Sequence, residues 1–167
     1  AMPAEVDTAV RFNGNTVVAV PDSAALRPVQ LTLEAWVKPD PSEFAFNNVL
    51  SKSSTASWND GYGLVWTGSG DRLRFWVNNY FGAGFVEAVI PRSQWSHVVG
   101  TYDGAAMRIY VNGAPVANKV YAVPITHSTQ PLTLAGANGA SKWQGYLDEV
   151  AIYGAALRLR RGPAHLV

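Results

Sequence analysis

Aromatic side chains are concentrated in one short region near the middle of the sequence. This region contains Trp58, Tyr62, Trp66, Trp76, Tyr80, Phe81 and Phe85. An aromatic ring offers a flat apolar surface that matches the C–H faces of a sugar ring, and neighbouring Asn, Asp and Arg side chains can hydrogen-bond the surrounding hydroxyls. The region therefore predicts a carbohydrate-binding surface. The alternative is that these rings belong to the core.

The stretch from Arg72 to Asn78 indicates which side chains would face such a ligand. Successive side chains of a β-strand point to opposite faces of its sheet. Alternation sends Leu73, Phe75 and Val77 into the core and leaves Arg72, Arg74, Trp76 and Asn78 on the open face. Trp76 is therefore the predicted stacking platform of the site.

Residues outside this strand extend the predicted surface. Trp58 lies in a loop rich in Ser, Asn and Asp, and loops on a rigid scaffold commonly carry recognition residues. Either Trp58 or Trp66 is the expected second stacking ring, with Tyr80 beside the strand and Trp143 at the rim. The predicted hydrogen-bond donors, to hydroxyls or to a uronate carboxylate, are Arg74, Asn78 and Asn79.

Turn signals divide the chain into short strands that must position these side chains. Predicted strands cover residues 10–13, 16–20, 31–38, 48–53, 62–67, 72–78, 85–90, 98–102, 108–111, 116–121, 132–135 and 146–153. The first two are expected to form a hairpin about Asn13-Gly14, and Asp103-Gly104 and Asn112-Gly113 are expected to turn a β-meander. No helical period is sustained, and at most a short helical turn is expected over residues 155–161. The pattern predicts an all-β, two-sheet antiparallel β-sandwich.

Composition limits the classes of function. The 167 residues suit one domain, with 48% hydrophobic and 15% charged residues and a net charge of +1. Such a balance gives no electrostatic footprint for nucleic acid or an anionic membrane, and no apolar run approaches the length of a membrane span. Cysteine is absent, which excludes disulfides, thiolate metal sites and cysteine nucleophiles.

Several motifs, in a fixed order, resemble one known superfamily. They are R-F-N-G at 11–14, V-P-D-S at 20–23, L-E-A-W-V-K-P at 33–39, G-Y-G-L at 61–64, R-L-R-F at 72–75, W-S-H-V-V-G-T-Y-D-G at 95–104, R-I-Y-V-N-G at 108–113 and G-Y-L-D-E-V-A-I-Y at 145–153. The chain resembles the concanavalin A-like lectin/glucanase superfamily, and within it the laminin G-like branch that is appended to secreted bacterial carbohydrate-active enzymes.

The resemblance implies a single jelly-roll domain over residues 1–167, with one concave and one convex sheet. It implies a non-catalytic carbohydrate-binding module that is secreted, tethered to other domains of a larger enzyme, and binds its glycan on the concave face. Trp36, Trp95 and His97 match the family framework and are assigned to it. It also implies a structural calcium ion held by Asn13 and Asp148, although Asn13 replaces the aspartate frequent at its position.

Two other classes of function are weighed against carbohydrate binding. Glucanases of the superfamily carry paired carboxylates on one strand, whereas Asp148 and Glu149 are adjacent and would point to opposite faces. No nucleophile elbow or H-E-x-x-H motif is present, so no enzyme activity is expected. A protein-interaction module would instead use basic residues, namely Arg72, Arg74, Arg92, Arg108, Lys119 and Lys142.

Overall fold

The protein folds into two sheets of short strands. The computed structural model describes residues 8–43, 46–54, 58–137 and 141–158. In chain order the strands are β1 (Val10–Asn13), β2 (Val18–Val20), β3 (Leu31–Pro39), β4 (Asn47–Lys52), β5 (Tyr62–Trp66), β6 (Arg72–Val77), β7 (Phe85–Val89), β8 (Ser96–Tyr102), β9 (Ala106–Val111), β10 (Ala114–Val120), β11 (Leu132–Leu134) and β12 (Gln144–Tyr153). A 3₁₀ turn covers Ala24–Leu26.

Each sheet contains six antiparallel strands. Sheet A has the order β1-β12-β3-β8-β9-β10, and sheet B has the order β2-β11-β4-β5-β6-β7. The core lies between them, and it is formed by inward side chains such as Leu33 and Val37 of sheet A and Leu64 and Phe75 of sheet B. The predicted jelly-roll β-sandwich is confirmed.

The central meander also forms as predicted. β8 pairs with β9, and β9 pairs with β10. The β8–β9 turn is fixed by Asp103, whose Oδ1 accepts hydrogen bonds from the backbone N–H groups of Ala105 and Ala106 at 2.9 and 2.8 Å. Gly104 takes a φ of 89°, in the left-handed region that glycine enters without a steric cost.

The predicted opening hairpin is wrong. β1 pairs with β12 in sheet A, whereas β2 pairs with β11 in sheet B. After Asn13 the chain leaves the first sheet, and the N–H of Gly14 donates to the carbonyl oxygen of Trp143 at 3.2 Å. The Asn-Gly pair therefore starts a crossover between the sheets, which this local signal does not distinguish from a hairpin.

The segment after β2 is fastened to sheet B by a buried lysine. Lys52 Nζ donates to Asp22 Oδ1 at 2.6 Å and to the carbonyl oxygens of Ser128 and Gln130 at 3.2 and 2.7 Å. Arg27 and Lys52, both donating to the Asp22 carboxylate, hold its pKa well below the usual range. A lysine with three oxygen partners satisfies its buried charge, so this cluster is structural.

The described residues contain little helix, which bears on the predicted C-terminal turn and on membrane spans. Residues 155–158 are not helical, and the rest of the predicted helical turn, 159–161, lies outside the described residues. Within the described ranges, no helix has the length and apolarity needed to cross a membrane.

Candidate functional site

The outer face of sheet B carries the predicted row of side chains. Leu73, Phe75 and Val77 of β6 enter the core, which places Arg74 and Trp76 on the opposite face. The register puts Arg74 beside Val65 of β5, and Trp76 beside Phe85 of β7. The alternation inferred from the sequence is therefore correct for this strand.

Trp76 is nevertheless buried, with 0% of its surface exposed. Its ring lies under Trp58 and Tyr80, at centroid distances of 5.8 and 6.0 Å, and these two rings are 5.4 Å apart. Gly63 permits this packing, because a Cβ there would lie 2.8 Å from Trp76 Nε1 and 2.6 Å from the carbonyl oxygen of Leu50. The expectation of an exposed platform at Trp76 is corrected: neighbouring loops fold back over the sheet and cover it.

A groove opens above this covered face. It has a volume of about 340 Å³ and is lined by Phe46, Trp58, Val65, Tyr80, Phe81 and Ser141. Phe81 and Phe46 keep 72% and 54% of their surfaces exposed. Phe46 and Trp58 have φ angles of 63° and 53°, a left-handed conformation that costs bulky residues about 1–3 kcal/mol and that clusters at ligand sites.

Arg74 is committed to contacts within the protein. Its guanidinium lies 3.7 Å from the ring centroid of Phe85 and 4.6 Å from that of Tyr80. Its Nε and Nη2 donate to Glu87 Oε1 at 2.9 and 2.7 Å, and its Nη1 donates to the carbonyl oxygen of Tyr80 at 2.7 Å. The structure corrects its expected role as a ligand donor, because all three nitrogens already have partners that position the Tyr80 loop.

Asn78 and Asn79 also hold this loop in place. Asn78 Nδ2 donates to the carbonyl oxygen of Pro124 at 2.8 Å, and its Oδ1 accepts from the N–H of Thr126 at 2.7 Å. Asn79 Oδ1 accepts from the N–H of Gly82 at 2.6 Å. Both asparagines were expected to donate to a ligand, whereas they are engaged in the turn that carries Tyr80. Arg72 is exposed on the same face as Arg74 and does not line the groove.

Trp66 and Trp143 lie in the core, which corrects their placement at the ligand surface. Neither ring has exposed surface, and the two pack edge to face with centroids 6.3 Å apart. Trp66 shares the inward face of β5 with Tyr62 and Leu64. Trp143 is held immediately before β12 by its N–H, which donates to the carbonyl oxygen of Ala135 at 3.1 Å.

Asn48 is a candidate residue that the sequence analysis missed. It pairs with Val65, a residue of the groove, so both side chains lie on the outer face of sheet B. Asn48 is fully buried, and neither atom of its amide has a partner among the described residues. The β-bulge between Asn48 and Leu50 sets its direction, and the sequence carries no signal for that bulge.

Two further buried polar groups on this face lack partners. They are the Tyr80 hydroxyl and Trp76 Nε1, again within the part of the chain that the structure describes. Burial raises the pKa of the Tyr80 phenol, so the group stays a protonated donor. Together with the Asn48 amide, these groups give this face three hydrogen-bonding sites that no described residue occupies.

The residues predicted to hold calcium do not converge. Asn13 pairs with Gln144, and Asp148 stands four residues further along β12, a separation of roughly 13 Å at the ordinary rise of a strand. Asn13 Oδ1 accepts from the N–H of Asn15 at 3.1 Å, and Asp148 Oδ1 from the N–H of Glu149 at 2.9 Å. Among the described residues, no group of three or more His, Cys, Asp or Glu side chains could hold a metal. The two residues therefore do not fit one shared calcium ion.

The sequence profile of a laminin G family matches residues 12–160, and its description is the concanavalin A-like lectin/glucanases superfamily. The chain belongs to this superfamily. Part of it is also similar to pappalysin-1, with 32% identity to the mouse protein and 34% to the human protein over 65 residues. That match covers 36% of this chain and 4% of each relative, so this chain spans a small fraction of the pappalysin length.

Two solved structures share the fold. Domain 4 of AbnA, a GH43 extracellular arabinanase from Geobacillus stearothermophilus, in complex with arabinotriose, superposes with a TM-score of 0.75 at 20% identity, over 93% of this chain and 74% of that one. The CBM40 of the Ruminococcus gnavus IT-sialidase, bound to α2,3-sialyllactose, superposes with a TM-score of 0.73 at 15% identity, over 90% and 91%. At these identities the likeness establishes the jelly-roll fold.

Proposed function

We propose that this domain binds carbohydrate, without catalysing a reaction, in the groove on the outer face of sheet B. The observation that carries the proposal is the combination of exposed aromatic walls with orphaned polar groups behind them. Trp58 and Phe81 offer apolar surface for a sugar face. The Asn48 amide and the Tyr80 hydroxyl gain partners from a sugar hydroxyl, or from water that a bound sugar holds in place.

The groove favours a neutral glycan. No charged side chain is among the described residues that line it. The sequence analysis placed Arg74 on this surface as a ligand donor. In the structure Arg74 forms a salt bridge with Glu87 and packs against two aromatic rings. An acidic sugar placed here would lose hydration without gaining an opposite charge, which costs free energy.

The relatives support carbohydrate as the general class of ligand, and an extracellular setting. AbnA domain 4 and the CBM40 were each solved with an oligosaccharide, and AbnA is described as extracellular. We therefore infer that this domain is secreted as part of a larger protein and directs that protein to a glycan.

The protein-interaction alternative has weaker support from the basic residues proposed for it. Arg74, Arg92 and Arg108 each form a salt bridge with an acidic side chain. Lys119 Nζ lies 5.3 Å from the ring centroid of Phe85, and Lys142 Nζ donates to the carbonyl oxygen of Asn15. These cations therefore do not form one open basic surface.

The test is the substitution Trp58→Ala, with Val120→Ala, an exposed apolar residue of β10 that does not line the groove, as the control. Binding to a panel of neutral polysaccharides, arabinan included, is measured by affinity electrophoresis and by calorimetry with the matching oligosaccharides. Loss of a stacking ring is worth about 1.4 kcal/mol, so Trp58→Ala should weaken binding by roughly tenfold or more. Val120→Ala should bind like the wild type.

A second variant tests the polar side of the groove. Asn48→Leu replaces the orphaned amide with an apolar group of similar size, which keeps the fold and removes the hydrogen-bonding atoms. We expect weaker sugar binding with an unchanged or raised thermal midpoint. Wild-type sugar binding in both Trp58→Ala and Asn48→Leu would overturn the assignment to this groove. Failure to bind any glycan, combined with binding of a protein that free oligosaccharide does not displace, would favour the interaction-module alternative.

A further inference from the structure

A second pocket lies on the opposite side of the sandwich, on the outer face of sheet A. It has a volume of about 370 Å³ and is lined by Trp36, Trp95, Asp148 and Glu149. Trp36 of β3 pairs directly with Asp148 of β12, so the indole and the carboxylate stand side by side on one face. Glu149 sits in a β-bulge with a φ of 45°, next to Asp148.

Both tryptophans are held from behind and open towards the pocket. The ring of Trp36 packs on His97, with centroids 5.1 Å apart. His97 Nε2 lies 2.7 Å from Glu34 Oε1, and the Tyr153 hydroxyl donates to Glu34 Oε2 at 2.9 Å. Trp95 keeps 38% of its surface exposed. This support fixes the ring of Trp36 before any ligand arrives.

The ring of Trp95 has its own support. It packs at 6.1 Å, edge to face, against Tyr146. Lys38 and Arg11 lie over the same Tyr146 ring, at 5.4 and 5.8 Å from its centroid. These two cations are therefore placed beside the tyrosine, and neither forms a salt bridge with a pocket carboxylate.

The carboxylates near this pocket differ in whether they form an ion pair. Glu34 is satisfied by His97 and Tyr153, as described above. Asp148 and Glu149, by contrast, make no salt bridge to any cationic side chain in the described ranges. Two unpaired carboxylates beside two aromatic faces form the environment in which an organic cation gains both charge-assisted hydrogen bonds and cation–π attraction.

We propose that this pocket is a second ligand site that binds an amino sugar through its protonated amine. The inference rests on the proposed carbohydrate-binding role, and it adds a cationic unit to the glycans that the domain recognises. The ammonium donates to Asp148 and Glu149, while the apolar face of the same sugar ring stacks on Trp95 or Trp36. A neutral sugar would use the rings alone and leave both carboxylates unpaired.

The experiment compares a β-1,4-linked glucosamine hexamer, its fully N-acetylated form and cellohexaose, each titrated into the full chain by calorimetry. Only the first carries ammonium groups. We expect it to bind the wild type at least tenfold more tightly than the other two at this site, with an affinity that falls as salt concentration rises. The double variant Asp148→Asn, Glu149→Gln keeps the shapes of the side chains and should remove the preference.

Controls separate this site from the groove on sheet B. Trp95→Ala should weaken binding of the amine-bearing hexamer, whereas Trp58→Ala should not. Equal binding of the three hexamers, or loss of the amine preference in Trp58→Ala alone, would overturn the inference and leave the proposed function standing. A lysine-rich peptide that binds more tightly than the glucosamine hexamer and displaces it would also overturn it, in favour of a protein ligand.

Discussion

On the outer face of sheet B, Trp76 lies beneath Trp58 and Tyr80 with no exposed surface, whereas on the outer face of sheet A Trp95 keeps 38% of its surface in solvent. The two residues carry the same side chain and both lie outside the main core. The difference comes from coverage, because loops fold back over sheet B. A tryptophan on an outer face is thus structural or accessible according to the loops that fold over it.

The largest expected effect contrasts these two tryptophans. Trp76→Ala should lower the free energy of unfolding by about 3–5 kcal/mol, because it empties a closely packed cluster. Trp95→Ala should lower it by less than about 1 kcal/mol, because the ring is partly exposed. Urea denaturation of both variants provides the measurement. Similar losses in the two proteins would show that the covered and open faces do not differ as described.

This contrast also shows how far the sequence can be interpreted. All twelve strands were predicted within about two residues at most ends, because turn residues and alternating side chains are local signals. Alternation also assigned Trp76 and Arg74 to the correct face. It does not report which loop covers that face, so Trp76 was expected in solvent and Arg74 was expected to be free.

Other differences have the same physical origin. Trp143 precedes β12, and its burial depends on contact with Trp66, which lies far away in the sequence. Asn48 was missed because a β-bulge directs its side chain. Trp36 and Trp95 were assigned to the framework by resemblance, and they do pack on His97 and Tyr146, yet both also border a pocket. Motif matching identifies such residues without indicating which of their surfaces stay open.

A smaller effect is expected at the junction of the two sheets, where Glu43 is buried. Its two carboxylate oxygens accept from Asn47 Nδ2 in β4 and from the N–H of Gln144 in β12, both at 2.7 Å. Burial raises the pKa of Glu43 to about 7, against the opposing influence of these two donors. Since the folded-state pKa exceeds the ordinary value of 4.5, its contribution to stability is fully present below about pH 4.5 and is lost as pH rises to about 7.

The measurement is the free energy of unfolding as a function of pH for the wild type and Glu43→Gln. The difference between them, wild type minus variant, should decrease between pH 4.5 and pH 7 and then level off. Glu149→Gln is the matched control, since that carboxylate is exposed and its variant should follow the wild type. A difference that stays constant across this interval would contradict the shift.

The smallest expected effect concerns calcium, which the family resemblance implies at Asn13 and Asp148. A ligand that binds only the folded state raises the thermal midpoint by mass action. Because the two residues stand roughly 13 Å apart along paired strands, each offers an ion few protein oxygens. We expect the midpoints in calcium and in chelator to agree within roughly 2 °C, under about 1 kcal/mol for a chain of this length.

Asp148→Ala makes this comparison specific to one face. If the wild type shows a larger calcium shift that Asp148→Ala removes, then the carboxylates of the sheet A pocket bind a metal ion, and calcium should compete with the glucosamine hexamer for them. If the shift is absent from both proteins, the pocket carboxylates stay available to an organic cation. Because Asp148 lies on the open face of sheet A, either result concerns that face alone, and sugar binding in the groove of sheet B should be the same with and without calcium.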